Sequence, residues 1–227
     1  MSCWHWRSVE STHFWPSRAA HCASDGIRNH HEHRRLVVRP TREDAWKLLN
    51  EHVKSDSLLK HALAVEAAMR YHARLYGEDE ELWAVTGLIH DLDYEEHPTA
   101  EEHPLAGVAI LEELGWPSEV IEAVKGHAIY LNVPRTTRMA KTLFAVDELT
   151  GLVSAAALVR PSKSILDLET SSVTKKWKDK AFARGVNRAD IELGMKELGV
   201  ERAELIGRVI EAMRQVAPAL DLAGSTS

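Results

Sequence analysis

Cysteine is nearly absent from this 227-residue sequence, which contains only Cys3 and Cys22. Two cysteines near one end cannot cross-link a core or form a cysteine-based zinc site, so a disulfide-stabilised fold is excluded. No run approaches the eighteen apolar residues of a membrane span, and the N-terminus lacks the apolar stretch of a secretory signal. We therefore expect a cytoplasmic protein that has no membrane partner.

Basic residues do not outnumber acidic residues in this sequence. The chain has 28 Lys plus Arg against 34 Asp plus Glu, a net charge of -6, so we expect no specific nucleic-acid binding. The charge is uneven: Glu78–Glu102 contains ten acids and no Lys or Arg, whereas Arg160–Arg188 contains eight basic residues and three acids. This distribution suits a metal site beside an anion site.

The sequence divides into three parts. Residues 1–40 hold six of the thirteen histidines but show no helical or strand periodicity, which predicts a disordered or loosely docked extension. Its cluster His30-His31-Glu32-His33 is a weak metal-site candidate, and a translation start near Val37 would leave the extension upstream of the native protein. Residues 41–216 are predicted to form the catalytic domain, and 217–227 a C-terminal tail. The oligomeric state cannot be deduced from these patterns.

From Thr41 onward the apolar residues recur at helical spacing, and no alternating run long enough for a sheet follows. Thr41 and Asp44 resemble a capping box, Ser57 is a candidate cap, and Pro117 suits a first helical position. The patterns predict an all-α bundle with helices at 43–54, 57–77, 78–91, 104–114, 117–125, 138–152, 154–159, 162–168 and 171–183, and two more that start at Asn187 and Glu201.

The adjacent pair His90-Asp91 follows the apolar run of the third predicted helix. Neighbours on a regular helix point about 100° apart, so both side chains reach one ion only if the helix ends there or the ion lies between them. Two metal-binding residue types therefore arrive together from a buried face.

Three motifs resemble the HD-domain superfamily of metal-dependent phosphohydrolases. They contain His61 in Leu-Leu-Lys-His-Ala-Leu, His90-Asp91 in Gly-Leu-Ile-His-Asp-Leu-Asp-Tyr, and Asp147 in Phe-Ala-Val-Asp-Glu-Leu. Together with Val159-Arg-Pro-Ser-Lys163 they are similar to a small bacterial HDIG-type subgroup, and the resemblance covers roughly residues 41 to 215. It implies a compact helical HD domain in which His61, His90, Asp91 and Asp147 hold a divalent transition metal.

His103 and His127 resemble the additional ligands of binuclear members of the superfamily. The resemblance implies that Asp91 bridges to a second ion held by these two histidines, which leaves positions for water and substrate. In the alternative, both histidines only flank helices and one ion is bound. Imidazole and carboxylate donors without thiolate suit Fe, Mn, Co, Ni or Zn and do not select among them.

The function implied is hydrolysis of a small phosphate ester or nucleotide, as a phosphomonoesterase or phosphodiesterase, by metal-activated water, with His90 and Asp91 as the catalytic pair. Lys163, Lys175 and Lys176 are the candidates for binding the substrate's phosphate. An HD-type di-iron oxygenase and a non-catalytic metal-binding or ligand-binding module are the alternatives. Asp93 and Tyr94 replace the Gly-Lys of the cyclic-dinucleotide phosphodiesterases, so that specificity is not expected. Asp93 itself is a candidate proton shuttle or part of an acidic surface loop.

Overall fold

The computed structural model describes residues 39–224, so the predicted extension up to residue 38, its histidine cluster and both cysteines lie outside the described residues. Within this range the chain is helical, and its only β-type pairing is an isolated bridge between Ser164 and Ala223. The elements are α1 Arg42–His52, α2 Asp56–Tyr76, α3 Glu80–Ile89, α4 Leu105–Glu113, α5 Ser118–His127, the 3₁₀ helix Ile129–Leu131, α6 Arg138–Leu158, α7 Thr170–Trp177, α8 Arg188–Leu198 and α9 Arg202–Arg214. The predicted all-α fold is confirmed for these residues.

Several helices start at side chains that bind the free backbone amides of the first turn. The capping box of α1 is present: the Thr41 hydroxyl accepts from the Asp44 amide at 3.2 Å, and the Asp44 carboxylate accepts from the Thr41 amide at 3.2 Å. Asp79, Thr137 and Asn187 cap α3, α6 and α8 in the same way. Each such cap stabilises a helix by roughly 0.5–2 kcal/mol.

Two predicted helix boundaries in the first half of the chain were wrong. The second helix begins at Asp56, with Ser55 at the cap position where Ser57 was predicted. The helix predicted to stop at Gly126 continues through it, so His127 is the last residue of α5. Gly126 lies against Arg135, whose Cγ would be 3.0 Å from an added Cβ, so the glycine serves close packing here.

The region after residue 152 differs more. The helices predicted at 138–152 and 154–159 are one continuous helix, α6. The helix predicted at 162–168 was wrong: the Asp167 carboxylate instead accepts from Arg160 and Ser162, and Lys163 adopts a left-handed backbone with φ 48°. Such local side-chain bonds compete with helix formation. The helix predicted at 171–183 is shortened to α7, which ends at Trp177.

The core is built around α2 and α6. Helix α2 packs against α3, α6 and α9, while α6 also packs against α5 and α8. Gly87 allows α3 to approach α2 closely, because a Cβ at this position would be 2.9 Å from the Val65 carbonyl oxygen. This contact brings the end of α3, which carries His90, next to α2, which carries His61. No helix within residues 39–224 has the length and apolarity needed to cross a lipid bilayer.

Candidate metal centre

All six residues predicted as metal ligands lie together in the structure. They come from five places: α2, the end of α3, the residue before Pro104 and α4, the end of α5, and the middle of α6. Two groups have ligand atoms within 4.8 Å of one another, and both contain Asp91: His61, His90 and Asp91 form one, and Asp91, His103 and His127 form the other. Asp147 joins the first group, with its Oδ1 at 3.0 Å from His61 Nε2 and 3.3 Å from His90 Nε2.

The two oxygens of Asp91 face different groups of imidazoles. Oδ2 lies 3.6 Å from His61 Nε2 and 3.4 Å from His90 Nε2. Oδ1 lies 3.4 Å from His103 Nε2 and 3.3 Å from His127 Nε2. Asp91 therefore contacts both groups of imidazoles, each through a different oxygen.

Hydrogen bonds at Nδ1 determine which imidazole nitrogen faces the cluster. His90 Nδ1 lies 2.8 Å from the Gly87 carbonyl oxygen, and His127 Nδ1 lies 2.6 Å from the Val124 carbonyl oxygen. A carbonyl only accepts, so each Nδ1 carries the hydrogen and each neutral ring directs the lone pair of Nε2 toward the cluster.

The other two imidazoles follow the same arrangement. His103 Nδ1 lies 2.8 Å from Asp93 Oδ1, a pure acceptor. His61 Nδ1 lies 3.4 Å from Thr150 Oγ1, and the Thr150 hydroxyl donates to the Asp147 carbonyl oxygen at 2.8 Å. The Thr150 oxygen therefore accepts from His61. When a ring carries no proton on Nε2, each of the four imidazoles presents that lone pair to a site that also holds two carboxylates.

This convergence of acceptors fits a cation. The Nε2 atoms of His103 and His127 are only 3.1 Å apart, and both face Asp91 Oδ1. The His90 side chain is fully buried, and its Nε2 has no hydrogen-bond partner. A buried polar atom without a partner is destabilising, and a metal ion would satisfy it. The donors present therefore fit the divalent metal that the sequence predicts.

Electrostatics lead to the same conclusion. Burial favours the neutral ring of His90, but the adjacent Asp91 and Asp147 carboxylates outweigh it and raise the pKa of His90 well above its usual value. Burial would raise the pKa of Asp91 too, yet His90 and His127 hold that pKa well below its usual range. The negative charge of the cluster thus attracts a proton or a metal ion to the same nitrogen, so the two compete.

Asp93 has a role that sequence reasoning missed. The residue is 1% exposed, which excludes a place on an acidic surface loop. Its Oδ1 accepts from His103, and its Oδ2 accepts from the Gly107 amide at 2.8 Å. A carboxylate that holds the distal nitrogen of a ligand histidine fixes the ring's tautomer and orientation. In the sequence, the position of Asp93 two residues after Asp91 was the signal that could have indicated this role.

The neighbouring acids have structural contacts. Glu95 accepts from the amides of Lys54 and Ser55, at 2.8 and 2.9 Å, at the start of α2. Glu96 lies 3.3 Å from His52. Neither lines the cavity beside the ligands.

An open cavity of about 550 Å³ lies beside the cluster, and five of the six ligands line it. Its other walls come from α2, the segments after α3 and α5, α6, and the segment that leads into α8: Leu58, Tyr94, Pro98, Ala100, Ala128, Ile129, Tyr130, Phe144, Glu148, Gly185, Asn187 and Asp190. Glu148 was also missed by sequence reasoning. Burial, followed by the adjacent Asp147, raises the pKa of Glu148 to about 7.

The lysines predicted to bind phosphate lie elsewhere. Lys175 and Lys176, on α7, line a separate cavity with Val159 and Arg160. Lys163 lies in the loop between α6 and α7. None of the three lines the cavity beside the ligands, so their predicted role would require a substrate that extends beyond it.

The fold and the cluster define the class: an all-α protein with a candidate metal centre at the meeting point of its helices. Residues 58–152 match the family model of the HD domain. The match includes all six candidate ligands, and HD domains are typical of metal-dependent phosphohydrolases. Searches of curated proteins and of solved structures found no significant match.

Proposed function

We propose that this protein is a metal-dependent phosphohydrolase of the small bacterial HDIG-type subgroup, acting as a phosphomonoesterase or phosphodiesterase on a small phosphate ester or nucleotide. The observation that carries the proposal is the convergence of four imidazole Nε2 atoms on two carboxylates, with the buried His90 Nε2 near both carboxylates but without a hydrogen-bond partner. This donor set is suited to a cation, and it faces an open cavity.

The donors divide into two sites. His61, His90, Asp91 and Asp147 would hold one divalent ion, and Asp91, His103 and His127 the other, with Fe, Mn, Co, Ni or Zn as candidates. When bound, such ions generate a water nucleophile near neutral pH and stabilise the negative charge that develops at phosphorus. His90 and Asp91, the predicted catalytic pair, act here through the ion that they position.

The cavity favours catalysis over a structural metal. Five ligands line it, and its volume of about 550 Å³ lies within the range of small-molecule sites. A structural metal site is closed by its protein ligands, whereas a catalytic site keeps a position for water or substrate. A phosphate ester in this cavity would reach both ligand groups.

The proposal is tested by metal content and hydrolysis together. Untagged protein, Asp91→Ala and His127→Ala are analysed for metals and assayed with p-nitrophenyl phosphate and bis(p-nitrophenyl) phosphate. We expect about two ions per chain, one in His127→Ala, and loss of hydrolysis in Asp91→Ala while the helical circular-dichroism signal is retained. His97→Ala is the matched control, since His97 lies in the same loop as His103 and contacts Glu102 at 3.4 Å.

Other outcomes identify the alternatives. Iron as the main metal, with oxygen uptake and no hydrolysis, would establish the di-iron oxygenase instead. The absence of any ion after reconstitution with each candidate metal would contradict the catalytic proposal and leave a binding module. One ion that His127→Ala does not affect would refute the second site.

A further inference from the structure

No lysine or arginine from residues 39–224 lines the cavity beside the ligands. The guanidinium of Arg135 lies 3.7 Å from the ring centroid of Phe144, whose ring is part of the wall. It is held, however, in a two-point ion pair with Glu197 at 2.8 and 2.7 Å and donates to the Gly126 carbonyl oxygen at 2.9 Å. Its charge is thus paired mainly with Glu197, although it also acts on Asp190 in the cavity wall.

The polar wall outside the ligand cluster is acidic. It is formed by Glu148 on α6 and by Asp190 in the first turn of α8, with Asn187 beside them. Asp190 Oδ2 accepts from Asn187 Nδ2 at 2.7 Å. Neither carboxylate forms an ion pair with a lysine or arginine of the described chain, so both can bind a donor in the cavity.

The balance of charges among the ions, their ligands and the phosphate indicates what kind of donor would bind there. Two divalent ions would offset Asp91, Asp147 and a phosphate dianion, even before the buried Asp93 is counted. Glu148 and Asp190 then remain as two carboxyl groups on the wall of a partly desolvated cavity, with no lysine or arginine of the described residues in an ion pair with either. Two neighbouring carboxylates repel each other, so binding of a cationic group between them would be favourable.

Resting on the proposed hydrolase function, we infer that the substrate is a phosphate ester whose alcohol part carries an ammonium group, bound by Glu148 and Asp190. The phosphate lies at the ligand cluster, and the ammonium group at the acidic wall. Tyr94 and Tyr130, both partly exposed, line the same cavity and offer ring faces, which also attract cations. Glu148 and Asp190 are therefore the residues that determine specificity.

The test compares two phosphonates of equal size that hydrolysis does not cleave, 3-aminopropylphosphonate and butylphosphonate. Their dissociation constants are measured by calorimetry on the metal-loaded full-length protein, with inorganic phosphate as reference. We expect the ammonium compound to bind about 10- to 100-fold more tightly, as charge-assisted hydrogen bonds imply. The preference should fall at least about fivefold in Glu148→Gln and in Asp190→Asn.

Glu192→Gln is the matched control, because Glu192 lies on α8 near Asp190 but pairs with Arg202 outside the cavity. It should retain the preference. Equal binding of the two phosphonates, tighter binding of butylphosphonate, or a preference unchanged in both variants would overturn the inference. Binding of inorganic phosphate but of neither phosphonate would do the same. Failure of inorganic phosphate to bind the metal-loaded protein would instead contradict the proposed function.

Discussion

The replacement Asp93→Asn tests whether the second ligand group depends on a buried carboxylate. Asp93 accepts two hydrogen bonds, from His103 Nδ1 and from the Gly107 amide, both at 2.8 Å. An asparagine has the same shape but only one accepting oxygen, and its amide nitrogen is a donor. Whichever way the amide turns, one buried donor meets another donor.

The expected magnitude follows from this mismatch. A buried donor left without a partner costs roughly 1–3 kcal/mol. Loss of an outer partner of a ligand histidine typically weakens metal binding about 10- to 100-fold, which is about 1.4–2.7 kcal/mol. The two figures agree, so we expect the ion held by His103 and His127 to bind about 10- to 100-fold more weakly. The ion held by His61, His90 and Asp147 should be nearly unaffected.

The assay is competition for metal against a chromogenic chelator, with separate constants for the tighter and the weaker ion. Unfolding of the chelator-treated protein is measured in parallel, so that a general loss of stability is recognised. Glu96→Gln is the control, since this carboxylate lies in the same loop but contacts His52. Wild-type affinity for both ions in Asp93→Asn would refute the positioning role of Asp93.

Three further predictions concern pH and packing. Acidification should release metal, because protons compete for the Nε2 atoms; metal content after dialysis at decreasing pH measures this. Burial lowers the pKa of His72 from 6.5 to about 4, so only the unfolded chain gains a proton between these values. Its contribution to the free energy of unfolding should fall by about 3 kcal/mol as pH decreases from 6.5 to 4, and His72→Phe should remove this part of the pH dependence in denaturant titrations. Gly194→Ala should lower the free energy of unfolding by about 1–3 kcal/mol, since its Cβ would lie 2.6 Å from Ala145 Cα. Gly207→Ala, the control, should be neutral or stabilising, and thermal melts of both variants measure the difference.

The six candidate ligands were proposed from the resemblance to the HD-domain superfamily, and a local pattern marks only His90-Asp91 among them. His90-Asp91 follows an apolar run, and the cap at Asp79 and the approach at Gly87 bring that run against α2. The helix boundaries were less predictable where side chains compete with the backbone. Asp167 and its donors ended the helical pattern at 162–168, and nothing in the apolar spacing indicated it.

Tertiary contacts decide which residues surround the ligands, and the spacing of residues along the sequence does not encode these contacts. Asp93 and Glu95 lie in one acidic segment, yet Asp93 is buried against His103 while Glu95 accepts from the amides of the two residues before α2. The same limit applies to charge: the basic segment after residue 160 suggested a phosphate site, but the fold places Lys175 at a separate cavity. The wall beside the ligands is acidic instead. Since no lysine or arginine of the described residues lines this cavity, the proposed metal ions would supply the positive charge that binds phosphate, and metal loss should therefore abolish phosphate binding together with the proposed hydrolysis.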